Sequence, residues 1–168
     1  VELKKWLFER LKAEARGFGI EILEELSSCD RPWGGFLRFS EASFLRFFHA
    51  YWQGTEVSGL DKGLRLDPKI LLVAPGKRLS LQYHHRRCEH WRVIDGPVKI
   101  EIGPDGSSLE TFVFDTGEVV QIPCGAWHRL TGLHGWGRIA EIWQSTDPEN
   151  PSDEDDIVRV EDDFGRVR

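Results

Sequence analysis

The sequence predicts a mainly β protein, a sandwich or barrel with helices at its N-terminal end, and three observations predict it. From about Lys69 onward, short runs rich in β-branched and aromatic residues alternate with Gly, Pro and Asp turns. Seven Trp and ten Phe among 168 residues supply large side chains for a core. No segment of roughly 20–50 residues repeats, which sets solenoids and propellers aside.

Residues 1–26 read as a helix. Leu3, Leu7, Leu11 and Ala15 recur every four positions, Trp6 and Phe8 widen the apolar face, and Gly17 and Gly19 break the run. A second helix is expected over 41–52, with Ser40 as N-cap and Glu41 in its first turn. Its aromatic set, Phe44, Phe47, Phe48, Tyr51 and Trp52, is too rich for an exposed helix and is expected on the barrel wall or in a subunit interface. The strands expected next are KILLVA, LSLQYH, EHWRVID, VKIEIG, LETFVF, EVVQI, AWHRLT, RIAEIW and DIVRV. The expected division is therefore a helical extension and insert over 1–64, packed on a barrel over 65–168 that ends in an acidic arm, all in one domain.

Charge narrows the function. The formal net charge is −6, and residues 149–168 hold eight acids against three Arg, or −5 of it. A basic stripe with interleaved aromatics is missing, which argues against a nucleic-acid partner. No apolar run approaches the roughly 18 residues a membrane helix needs, and no charged-then-apolar leader is visible. Cys29, Cys88 and Cys124 are an odd number without paired spacing, so a reducing cytoplasm is the expected setting.

Two segments carry candidate chemistry, Pro75–Gly96 and Gly117–His128. Strand residues two apart share a face, so Ser80, Gln82, His84 and Arg86 are expected together. After an Arg-Arg-Cys turn, Glu89, Trp91 and Val93 form a face of the next strand, and Pro123 and Gly125 turn His128 back inward. Gln82, His84, Glu89 and His128 would then bring two imidazoles, a carboxylate and an amide oxygen to one point. Nitrogen and oxygen donors without thiolate suit a divalent metal, Zn²⁺ first, with Fe²⁺, Mn²⁺ or Ni²⁺ as alternatives. The bland alternative is a set of polar strand residues satisfied by their neighbours.

The spacing G-x(5)-P-x-G-x(2)-H over 117–128, with E-x(6)-G over 89–96, resembles the two motifs of the cupin superfamily. More narrowly, RPWGG at 31–35, PGKRLSLQYHHRRCEHWRVIDG, IPCGAWHRL and DEDDIVRVEDDFGR resemble the cupin module of type II mannose-6-phosphate isomerases. The likeness covers about 31–36 and 68–168, and implies a double-stranded β-helix, or jelly-roll barrel. In many such proteins the module follows a GDP-mannose pyrophosphorylase domain, to which nothing here is matched. One departure is Arg86, where a second His two after His84 is common. Type I mannose-6-phosphate isomerases are similar in holding zinc with a Gln-x-His pair, a Glu and a distant His, which implies Gln82 as fourth ligand.

The function implied is metal-dependent aldose–ketose isomerisation of a sugar phosphate, mannose 6-phosphate to fructose 6-phosphate. The alternatives are a non-catalytic sugar-binding cupin and an Fe-dependent small-molecule dioxygenase. Arg31, held by Pro32 and Trp33, is a candidate for phosphate, or for a salt bridge to Asp162 or Asp163. Arg86 is a further substrate-binding candidate, and Glu141 and Arg138 are the catalytic candidates. His85 and His90 are expected on the outer face, and Cys88 and Cys124 as buried small hydrophobes. The resemblance also implies a homodimer.

Overall fold

The computed structural model describes residues 2–167. Helix α1 spans Glu2–Gly17 and α2 spans Phe44–Trp52. Eleven strands follow the chain: β1 (Ser28–Arg31), β2 (Gly34–Arg38), β3 (Leu66–Val73), β4 (Leu81–His84), β5 (Arg87–Asp95) and β6 (Val98–Gly103), then β7 (Glu110–Phe114), β8 (Val119–Ile122), β9 (Trp127–Gly132), β10 (Gly137–Ser145) and β11 (Ile157–Glu161). They form two antiparallel sheets, one ordered β1-β2-β3-β10-β5-β8 and the other β11-β4-β9-β6-β7. All nine expected strands are present, as β3 to β11.

Two cores explain the sequence texture. Between the sheets lie Phe36, Leu71, Trp91, Val93, Ile100, Leu130 and Ile139. On the far side of the six-stranded sheet, α1 and α2 bury Phe8, Leu11, Phe47 and Trp52 against Ile70, Leu72, Ala140 and Ile142. Strand β3 is thus buried on both faces along its whole length, which is why KILLVA runs apolar without alternation. Full burial of a side chain such as Phe47, 0% exposed, stabilises by roughly 1.5–3 kcal/mol. The aromatic helix therefore sits on the sheet wall.

Three local expectations are corrected. The barrel does not begin at residue 65: the β1–β2 hairpin already belongs to the six-stranded sheet. Its RPWGG turn is a close strand approach, since a Cβ on Gly34, at φ +148°, would lie 1.9 Å from the Leu72 carbonyl oxygen. The first helix ends at Gly17 rather than running to residue 26. Ser40 gives no side-chain cap, and Glu41–Ser43 form a 3₁₀ turn before α2. None of the described helices is long and apolar enough to cross a membrane.

Candidate metal centre and cleft

The site lies between the sheets, where two cross-strand rows face two others. In the six-stranded sheet, Glu141 on β10 is flanked by Lys69 on β3 and Trp91 on β5. One pair along, Trp143 on β10 is opposite Glu89 on β5. In the other sheet, Gln82 on β4 is flanked by His128 on β9 and Arg159 on β11. Side chains directly opposite each other share a face, so this pairing places an amide, an imidazole and a guanidinium side by side.

His84, Glu89 and His128 each offer a ligand atom, and these atoms lie within 4.8 Å of one another. All three residues are buried. His84 Nε2 is 3.0 Å from Glu89 Oε1, and His128 Nε2 is 3.4 Å from Glu89 Oε2. His128 Nδ1 is 2.9 Å from the Ala126 carbonyl oxygen, which selects the tautomer with Nδ1–H donating. Its Nε2 is then a lone pair, and this buried atom has no hydrogen-bond partner. A lone pair facing a carboxylate oxygen lacks a positive charge between them, so the residues fit a divalent cation.

The electrostatics keep the centre receptive. Burial pushes His84 down to about 4, against the pull of Glu89, leaving a neutral imidazole able to donate a lone pair. Burial pushes Glu89 up, but the positive charge of Arg87, whose Nε donates to it, holds the carboxyl well below its ordinary range. Glu141 goes the other way, to about 8, through burial and then the neighbouring charge of Glu89. Trp91 Nε1 donates to both, at 3.1 Å to Glu89 Oε2 and 2.9 Å to Glu141 Oε1.

A narrow cleft, open to solvent and of about 50 Å³, reaches this centre. Arg31, Lys69, Arg87, Arg159 and Arg166 line it, against the carboxylates Glu89, Glu141 and Glu154. Burial, then Arg166, lowers the pKa of Arg159, and its buried Nε has no hydrogen-bond partner. A guanidinium crowded by like charge favours an anion.

Most of the residues singled out in the sequence meet here. Gln82 lines the cleft beside His128, its amide oxygen accepting from Ser80 Oγ at 2.8 Å. Glu141 faces inward. Arg31 lines the cleft over the Phe36 ring, and Asp162 and Asp163 are held by Arg166 and Arg78 rather than by Arg31.

Two arginines are not where the sequence phase put them. Arg86 belongs to the turn after β4, and its guanidinium bonds Asn150, the Pro151 carbonyl and Asp153, away from the ligand atoms. Arg138 shares the outer face of β10 with Ala140 and pairs with Glu14 of α1 and Asp95. His90 lies on the outer face as expected, opposite Ile142 and fully buried against Gln144, whereas Cys124, expected to be buried, is exposed. Arg87 and Arg159 were missed. Counting back two from Glu89 reaches Arg87; Arg159 needs the β4–β11 pairing, which no local signal reveals.

Two antiparallel sheets enclosing a His, Glu and His cluster define a cupin. The chain belongs to the family described as mannose-6-phosphate isomerase C-terminal, whose model matches residues 40–162. It is similar to the xanthan biosynthesis protein XanB of Xanthomonas campestris, 32% identical over 88% of this chain and 28% of that protein. The mannose-1-phosphate guanylyltransferase ManC of Salmonella typhimurium is 36% identical over 64% of this chain and 21% of its own length. The chain thus spans about a quarter or less of the curated relatives it matches, and ManC is named for guanylyl transfer, not isomerisation. Among solved structures, capsular polysaccharide assembling protein CapF from Staphylococcus aureus matches with TM-score 0.55 and 20% identity, covering 82% of this chain and 32% of that one. Vicilin from tomato matches with TM-score 0.53 and 19% identity, covering 75% of this chain and 32% of that one. These two likenesses concern the fold alone.

Proposed function

We propose that the cleft isomerises a hexose 6-phosphate between its aldose and ketose forms, mannose 6-phosphate to fructose 6-phosphate in particular. The observation that carries this is the convergence of His84, Glu89 and His128 beneath a wall of arginines, with Glu141 beside them. Relatives named for mannose 1-phosphate support a mannose phosphate as the substrate class.

Gln82, His84, Glu89 and His128 would hold a divalent metal, Zn²⁺ first, which when bound stabilises negative charge on the sugar's carbonyl and hydroxyl oxygens. The chain's own residues do the rest. Arg31, Arg159 and Arg166 bind the phosphate through charge-assisted hydrogen bonds and fix the reacting end of the sugar inward. Isomerisation takes the proton from C2, forms an enediol and returns a proton to C1, with no external oxidant. Glu141, lining the cleft with a buried Oε2 that lacks a hydrogen-bond partner, is the group placed to move that proton. Trp91 and the buried barrel interior hold Glu141 in one orientation and exclude bulk water.

Conversion of mannose 6-phosphate by the Zn²⁺-loaded chain, followed as fructose 6-phosphate formed, tests the reading. Turnover lost in Glu141→Gln with metal content retained supports it. A metal-loaded wild type that binds hexose phosphates and converts none would overturn it. That outcome is the second reading, a sugar-phosphate-binding cupin, favoured by the contact of Arg87 with both Glu89 and His84. The reading includes a homodimer, on the resemblance alone, and light scattering tests it. It also includes a cytoplasmic setting, supported by three free cysteines.

A further inference from the structure

Arg87 is 1% exposed, the most deeply buried arginine among the described residues. Its Nε donates to Glu89 Oε1 at 2.9 Å, and its Nη2 lies 3.3 Å from His84 Nε2. Its Nη1 donates to Ser152 Oγ at 2.9 Å and to the Asp153 carbonyl at 3.1 Å. The guanidinium carbon sits 3.5 Å from the Trp143 ring centroid. Every nitrogen is engaged, and two of the three touch side chains read above as ligands.

We propose that Arg87 is a resident cation of the metal centre, which neutralises Glu89 and occupies His84 until a divalent ion arrives and then competes with that ion for both. The proposal rests on the metal-binding reading under Proposed function. His84 has one ring nitrogen against the Asp156 carbonyl oxygen, at 3.4 Å. With that nitrogen donating, the other has a single lone pair, 3.0 Å from Glu89 Oε1 and 3.3 Å from Nη2. The guanidinium supplies the positive charge between those two acceptors, and the lone pair cannot serve Nη2 and an ion together. The Nε bond to Glu89 Oε1 can persist, because Oε2 still faces His128. The guanidinium then remains beside the ion in a low-dielectric interior, where like charges repel strongly. Ser152, Asp153 and Trp143 clamp the head of the side chain, so it cannot swing into solvent to relieve the repulsion. Arg87 therefore positions Glu89 and, at the same time, sets ion affinity below what the ligands alone would give.

Calorimetric titration of the full chain with Zn²⁺ alone tests this with Arg87→Met and Arg87→Lys. Arg87→Met should bind at least about tenfold tighter than wild type, although its metal-free form melts earlier. Arg87→Lys, which keeps the charge but not the fork of donors, should tighten binding less than Arg87→Met does. A residue that only braced the pocket would loosen binding when removed, so tighter binding in a less stable protein separates the two roles. Equal or weaker binding by Arg87→Met overturns the proposal. Should that variant not fold, Arg87→Gln removes the same charge and is judged alike. Wild type and variant both failing to take up Zn²⁺ overturns the metal reading itself; wild type binding with the variant no tighter overturns only the role of Arg87.

Discussion

His128 Nε2 faces Glu89 Oε2 at 3.4 Å in the buried centre of the barrel, and with Nδ1 donating to Ala126 no hydrogen lies between them. Two acceptors held face to face cost free energy that a cation recovers. Zn²⁺ at about a hundred times its dissociation constant should therefore add about 2.7 kcal/mol of stability, raising the melting temperature by roughly 5–11 °C for a chain of this size. His128→Ala should show no rise in a thermal melt with and without the ion. An equal rise in that variant would place the ion elsewhere.

Trp91 donates one indole N–H to both Glu89 and Glu141. Trp91→Phe keeps most of the ring packing and removes the donor, leaving two buried carboxyl groups short of a hydrogen bond. A loss of about 1–3 kcal/mol in urea unfolding is expected, together with a lower kcat for the proposed isomerisation. Wild-type stability in Trp91→Phe would mean that the shared hydrogen bond contributes nothing net.

The arginines at the cleft mouth separate binding from chemistry. Arg159→Ala and Arg31→Ala should each raise KM for a hexose phosphate by about 10–100-fold, the equivalent of a lost charge-assisted hydrogen bond. Turnover at saturation should change much less, because these groups hold the phosphate rather than the reacting carbons. Steady-state kinetics with the sugar phosphate decides, and a fall in kcat at constant KM would refute that assignment.

The last strand is tied down by ion pairs to one partly exposed and one buried arginine. Arg78 contacts Asp163 and Glu161, and Arg129 contacts Glu161. The hydrogen bond from Arg129 lowers the pKa of Glu161, and that from Arg78 lowers Asp163. A carboxyl with a depressed folded-state pKa contributes stability above its unfolded value, near 4, and loses it as pH falls through the folded value. The tether should thus be unchanged from pH 7 to about 5 and weaken below about 4. Hydrogen exchange on Ile157–Glu161 measures it, with Arg78→Ala raising exchange at pH 7. Protection that rises on acidification would contradict this sign.

Much of this arrangement was legible in the letters, for identifiable reasons. The strands β3 to β11 are bounded by strong turn residues, and Gln82, His84, Glu89 and His128 lie at spacings that a two-residue period carries to one interior. The hairpin β1–β2 was missed because SCDR and GGFLR are short and do not alternate; β2 is buried along its whole length. Arg86 was placed inward by extending the β4 alternation through the turn. The turn is only His85–Arg86, so the period restarts at Arg87, and the inward cation is the next residue along. Arg138 failed for a different reason: both faces of β10 are covered, one by the opposite sheet and one by α1 and α2, so apolar pattern alone cannot choose its phase.

The most direct measurement of the central claim is elemental analysis of the purified, Zn²⁺-equilibrated chain beside its Glu89→Gln variant, each shown to be folded by circular dichroism. The account predicts one divalent ion per wild-type chain and a vacant centre in the variant. A folded wild type without stoichiometric metal, or a variant that retains it, would contradict the account.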